Sequence, residues 1–164
     1  MHGRRNVLAA FVAGAVAGCG FELKRAPALR FKTVQLVGFA ARSPLAAELR
    51  TSIDASTTTR VVDSAAQAQV VLEAIDDARE KGVVASTAAG QVTEFQLRAR
   101  FRFRLRTVAG KELIASTEIL QSRDMSYTES AALAKEQEEA ALYRAMQTDI
   151  VSQVMRRLAS VQAV

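Results

Sequence analysis

The feature that most limits this chain is an unbroken alternation from Thr93 to Thr107. The odd positions carry Thr93, Phe95, Leu97, Ala99, Phe101, Phe103, Leu105 and Thr107. The even positions carry Glu94 and Gln96, then Arg98, Arg100, Arg102, Arg104 and Arg106. Side chains on a strand point to opposite faces with a period of two. The segment is therefore a strand that buries its odd face and leaves its even face in water. It is long for a strand, so a bend or bulge is expected within it.

A single apolar face requires a cover, and two amphipathic helices are legible. Ser43 is an N-cap and Pro44 sits at the first helical position, where its missing N–H costs nothing. Leu45, Leu49 and Ile53 follow at spacing four. The second helix runs from about Ala131 to Ala159, with Leu142, Met146, Ile150, Val154 and Leu158 repeating every four residues and Leu133, Val151 and Met155 widening the stripe. Arg156 and Arg157 suit its C-terminal end, and Glu136, Glu138 and Glu139 read as a solvated helix face.

The other strands are Phe31–Phe39, Gln69–Asp77 and Glu112 to about Asp124, with Val61-Val62 as a short connecting edge. Val83-Val84 can extend the strand that starts at Gln69. Asp76 and Asp77 are neighbours on a strand, point to opposite faces and cannot work as a carboxylate pair; they read as the shoulder of a hairpin. Ala109-Gly110 turns the chain into the last strand. By parity Leu113, Ala115, Thr117 and Ile119 join the phenylalanine side. Glu112, Ile114, Ser116, Glu118, Leu120, Ser122 and Asp124 join the arginine side. The predicted fold class is α+β: a two-layer sandwich whose four-stranded, mostly antiparallel sheet is covered on one face by two helices, in the order β-α-β-β-β-α.

The chemistry open to the chain is narrow. Its only histidine is His2 and its only cysteine is Cys19. Beyond them, no disulfide framework, Cys/His metal site or histidine-activated nucleophile can be built. No cofactor is expected, and the chain reads as a non-enzyme. Net charge is +5. Without Arg4 and Arg5 the 22 basic residues fall to 20 against 17 acids, leaving +3, too little to point to nucleic acid.

Met1 to Gly18 has the form of a secretory leader. Arg4 and Arg5 precede an apolar stretch, Val7 to Val16, and the small residues Ala17 and Gly18 close it. That stretch is too short to span a bilayer as a helix, which takes about 20 residues. Val16-Ala17-Gly18-Cys19 resembles the lipobox of bacterial lipoproteins, which implies that Cys19 is acylated and becomes the first mature residue. Gly20 stands where an Asp favours retention in the inner membrane, so delivery to the outer membrane is expected. The organisation read here is a signal peptide over 1–18, a lipidated start and tether over 19–30, and one α+β domain over 31–160.

Three passages carry a further resemblance. Cys19-Gly20-Phe21-Glu22-Leu23-Lys24 is similar to the start of the lipopolysaccharide-assembly lipoproteins, the LptE family. Gly90-Gln-Val-Thr-Glu-Phe-Gln-Leu97 resembles that family's Gly, aromatic, x, Leu element before its long central strand. The passage from Leu133-Ala134-Lys135-Glu136 to Asp149 resembles the start of its last helix. Phe95 replaces a common Tyr and Lys24 a common Arg. The resemblance implies a lipoprotein on the periplasmic side of the outer membrane, anchored by lipid on Cys19. Its implied partners are an LptD-like β-barrel, which it plugs and helps to fold, and lipopolysaccharide itself. The other function considered is an accessory to another envelope assembly or scaffold, without a lipid ligand.

Arg98, Arg100, Arg102, Arg104 and Arg106 then have three readings. They can meet lipopolysaccharide phosphates, acidic groups on the barrel wall, or only solvent and cross-strand carboxylates. Successive members lie about 6.6 Å apart and repel by roughly 0.6 kcal/mol in water, so partners such as Glu112, Glu118 and Asp124 would help. Arg98, Arg100 and Arg102, furthest from the hairpin tip, are the preferred contacts.

Overall fold

The computed structural model describes residues 27–162. Its elements are β1 (Thr33–Val37), α1 (Pro44–Asp54), β2 (Arg60–Val62), β3 (Val70–Ser86), β4 (Val92–Thr107), β5 (Glu112–Ser126) and α2 (Ala132–Ser160). The five strands form one sheet in the order β2-β1-β3-β4-β5. β1 pairs in parallel with both β2 and β3, while β3, β4 and β5 form a long antiparallel meander. The architecture is the expected α+β sandwich, with five strands in place of four.

The extra strand is β2. Three residues are too few to register as a strand by periodicity, and tertiary anchoring supplies what the pattern lacks. At the end of α1 the Asp54 side chain accepts from the Val61 N–H at 2.9 Å and the Asp54 carbonyl accepts from Arg60 at 2.8 Å. That holds Arg60–Val62 alongside β1. α1 itself starts as its sequence dictates: the Ser43 hydroxyl accepts from the Ala46 N–H, Pro44 follows, and Leu45, Leu49 and Ile53 are buried. Gly38, just after β1, has a φ of +81°, and a Cβ placed there would lie 2.2 Å from the Ala74 carbonyl oxygen. Only glycine fits that turn.

β3 is the larger departure from expectation. It does not end at a hairpin shoulder near Asp77; it continues to Ser86, straight through the polar stretch, with Val83-Val84 extending it as foreseen. Asp76 and Asp77 sit in mid-strand, paired with Arg102 and Phe101 respectively and on opposite faces. The reason is β4. A strand with one dry face and one wet face templates a neighbour that matches it residue by residue, and the polar stretch supplies charges for the wet face. Of the bulge foreseen in β4 only Thr93, at its start, is an extra residue on that strand. From Glu94 to Arg106 the extra residues belong to β3, at Ile75 and Val84, and to β5, while β4 stays in unbroken alternation. On β5 the slip between Phe103/Thr117 and Leu105/Ile114 moves Ile114 off the arginine side, and Leu113 and Ile114 both pack against the core.

The core lies between the sheet and the helices. Leu97, Phe101, Phe103 and Leu105 of β4 are fully buried, as are Met146, Val154 and Leu158 of α2. Phe101 stacks on Phe103 at 5.4 Å and on Phe39 at 5.8 Å. Val151 and Met155 widen the helix stripe as expected; Leu133 does not, being 71% exposed in the first turn. A polar seam fastens the layers. Lys81 pairs with Glu139 at 2.6 Å, Arg79 donates to Gln147 at 2.8 Å, and Gln147 and Thr148 donate to Glu48 of α1 at 2.6 and 2.8 Å. Glu136 and Glu138 are exposed as read; Glu139 is drawn in by Lys81.

Candidate functional site

Both helices cover the same face of the sheet, and the even positions of β4 crown the other. On β3 the bulge at Ile75 decides which side chains join them. Before it, Val70, Leu72 and Ala74 share the core face with Leu105 and Phe103. After it, Asp76, Ala78 and Glu80 stand opposite Arg102, Arg100 and Arg98 on the open face. Had Ile75 taken a regular place in the pairing instead of bulging, those carboxylates would have turned toward the helices.

The five arginines divide into two kinds. Arg104 grips Glu73 with two of its nitrogens, Nε at 3.0 Å and Nη2 at 2.8 Å from the same carboxylate oxygen, and Arg106 approaches that carboxylate at 3.5 Å. Arg100 pairs with Asp76 at 2.8 Å and with Glu80 at 3.4 Å. All three are half-buried, whereas Arg98 and Arg102 are exposed. The hydrogen bond from Arg104, helped by the charges of Arg104 and Arg106, holds the Glu73 carboxyl below its usual range against the opposing effect of burial. The hydrogen bond and charge of Asp76 push Arg100 still higher.

The neutralising carboxylates were expected on β5, from Glu112, Glu118 and Asp124. The structure draws them from β3 instead: Glu73, Asp76 and Glu80. Glu118 is in register with Arg102 and Glu112 with Arg106, but among the described residues neither forms an ion pair, and Asp124 accepts from Gln96 at 3.1 Å. The signal for the β3 carboxylates was present in the sequence. The apolar parity of Val70, Leu72 and Ala74 breaks at Ile75, where a bulge restores the match to β4. Apolar side chains mingle with the charges: Leu120, opposite Arg100, is 55% exposed, and Ile75 is also exposed. Cys19 and the leader over 1–18 lie outside the described residues, as does most of the tether.

Comparison with known proteins places this geometry in context. A family model described as LptE, lipopolysaccharide-assembly, matches residues 31–158. The solution NMR structure of a lipoprotein B from Nitrosomonas europaea is 30% identical over 86% of this chain and 91% of its own, with a TM-score of 0.74. The crystal structures of a rare lipoprotein B from Shewanella oneidensis and a minor lipoprotein from Acinetobacter baumannii share the fold. They are 22% and 19% identical, each with a TM-score of 0.66, and cover 79% and 80% of this chain and 95% and 93% of their own. No curated protein matches the chain.

Proposed function

The chain belongs to the LptE lipopolysaccharide-assembly family, and on that premise we propose that it works as a lipid-anchored outer-membrane lipoprotein that plugs a large LptD-type β-barrel and helps it to fold. Membership carries the role in lipopolysaccharide assembly. The barrel partner, the acyl anchor on Cys19 and direct contact between the arginine face and lipopolysaccharide are proposed. No catalysis, cofactor or nucleic-acid partner is assigned.

The observation that carries the plug role is the sheet with one dressed face. Both helices seal one side. The other is a rigid, patterned surface over three strands, each about 50 Å long at 3.3 Å per residue. Arg100, Arg104 and Arg106 are paired within the sheet with Asp76, Glu80 and Glu73. A polar barrel lumen can supply water and polar partners for the exposed charges that remain. Among the described residues no helix is long and apolar enough to cross a membrane. Attachment is assigned to acyl chains on Cys19, each buried CH₂ contributing about 0.8 kcal/mol. In this reading 1–18 is removed, 19–30 tethers the anchor and 31–160 is the functional domain.

The test is a pull-down through a tag after Val164, from outer membranes solubilised in mild detergent. One large β-barrel recovered in near-equal amount supports the proposal. Recovery of barrel-assembly machinery alone, or of no barrel, sinks it and favours an accessory or scaffold role without a lipid ligand.

A further inference from the structure

The two ends of the long meander carry opposite charge. At one end the first residues of β1, β2 and β3 lie side by side, Thr33 beside Arg60 and Val34 beside Val70, and Val70 faces Thr107, the last residue of β4. Both helices finish there. The Asp54 carbonyl at the end of α1 accepts from Arg60, and Ser160 to Gln162 at the end of α2 line one hollow with Lys111 to Ile114 beyond the β4–β5 turn. Segments 27–34, 53–62, 107–113 and 155–162 together hold six cations, Arg30, Lys32, Arg60, Lys111, Arg156 and Arg157, against Asp54 and Glu112, a net charge of +4. At the other end, segments 81–97 and 124–141 hold Lys81 and Lys135 against six acids, a net charge of −4.

The basic end is one connected surface. The Gln69 side-chain oxygen accepts from the Lys32 N–H at 2.7 Å and its carbonyl from the Val108 N–H at 3.3 Å, so the entering chain and the β4–β5 turn are neighbours. The Lys32 carbonyl accepts from the Arg60 N–H at 2.9 Å. Among the described residues none of the six cations forms an ion pair. Arg30, Lys32, Lys111 and Arg156 are exposed, and apolar Val108, in the turn itself, is 45% exposed beside them. Cations at helix C-termini suit the dipole, but Arg30, Lys32 and Lys111 lie on no helix, so the dipole does not account for them. The open face of β4 contributes none of the six; Arg106, its nearest member, turns to Glu73.

We infer that this end docks on the anionic phospholipid headgroups of the leaflet that holds the anchor, with Val108 entering between them. Cys19 stands eight residues before Pro27, a stretch that reaches at most about 28 Å when extended. The chain enters the domain at Leu29, which Thr58 holds at this same end. An anchored surface therefore lies within reach of the basic end, while the acidic end stands a further strand length, about 50 Å, away. An anionic surface attracts the first and repels the second, which also sets the tilt of the domain. Each Lys or Arg at such a surface strengthens binding by roughly fivefold. A net of four gives several hundredfold, from which the two helix C-termini subtract their share. The inference goes beyond the plug role and rests on acylation of Cys19 only for the reach of the tether.

The chain has no tryptophan, so Val108→Trp, and Ala89→Trp at the opposite hairpin tip, each give a single fluorescent reporter. The full lipidated protein is reconstituted on brominated vesicles of phosphatidylcholine alone or with about 30% phosphatidylglycerol. The reporter at position 108 is expected to shift to the blue and to be quenched roughly threefold or more on the anionic vesicles relative to the neutral ones. The reporter at position 89 responds on neither. Salt at 1 M, where the Debye length is about 3 Å, removes the difference. So do Arg30→Gln, Lys32→Gln, Lys111→Gln and Arg156→Gln combined, with far-UV circular dichroism unchanged because all four side chains are exposed. Arg144→Gln, an exposed charge midway along α2, leaves the response intact. Equal quenching on both vesicles, an equal response at position 89, or a fourfold variant that responds like the native protein would each overturn the inference. Retention on neutral vesicles reports the anchor separately. Protein that washes off neutral vesicles yet responds on anionic ones refutes acylation and leaves the docking standing; protein retained on both without response does the reverse. Loss of barrel capture by the fourfold variant, with the native reporter in water on both vesicles, assigns this end to a protein contact and also overturns it.

Discussion

Replacing Phe101 by Ala tests whether β4 organises the core. Phe101 is fully buried and stacked between Phe39 and Phe103 on the central strand of the long meander. Losing the buried ring forfeits about 2–3 kcal/mol of transfer free energy. A residual cavity of order 100 Å³, at about 24 cal/mol per Å³, adds roughly 2.4 kcal/mol. Collapse is limited because β3 and β5 hold β4 on both sides, so little of that cavity closes. The expected cost is about 4–5 kcal/mol, a large part of the roughly 5–15 kcal/mol that stabilises an ordinary domain. In urea unfolding followed by circular dichroism, with m near 2 kcal/mol/M, the midpoint falls by about 2 M. Phe95→Ala is the internal control. Phe95 is half-buried, edge-on to Tyr127 at 5.2 Å and beneath Lys81, and its loss is expected to cost less than half as much. A Phe101→Ala midpoint that drops by less than 1 M, or no more than that of Phe95→Ala, would refute the central role of β4.

Three further outcomes are expected. Gly38→Ala forces a left-handed φ on alanine and drives its Cβ against the Ala74 carbonyl; the left-handed conformation alone costs about 1–2 kcal/mol, and the melting temperature falls by several degrees or more. Deleting Ile75 removes the extra residue of the β3 bulge, lets Ala74 and Asp76 follow each other in regular pairing with Phe103 and Arg102, and changes stability by no more than about 1 kcal/mol; unfolding on deletion would show that the bulge does more than set parity. Glu73→Gln tests linkage: the folded carboxyl is held below its ordinary value of 4.5, so its contribution is present above that value and is lost as pH falls through the depressed one. The variant is thus less stable than the native protein near pH 7, and the gap closes in acid titration below about pH 4.5; a gap constant down to pH 2 would contradict it.

The candidate site was half legible before folding. The five arginines share one face because strand geometry leaves no other option, and the phenylalanines opposite them specify a core of matching shape. α1 was also local, since its cap, proline and apolar stripe all lie within Ser43–Ile53. What the sequence could not say was which arginines are occupied. That depends on Ile75 bulging out of the pairing, which keeps Asp76 and Glu80 on the open face, and on diagonal reach across the strands, which draws both acids to Arg100. The β5 acids were credited instead because Glu118 and Asp124 have the right parity; pairing, however, is set by side-chain reach as well as by face. β2 was read only as the short edge Val61-Val62 and not counted as a strand for a related reason: it is held by Asp54 of a different element rather than by any period of its own. Periodicity is a local property written into consecutive residues, so the sequence alone determined the faces, the helices and the need for a cover. Bulges, edge pairing and the choice of ion partner arise from where one element meets another, and only the tertiary structure decided them.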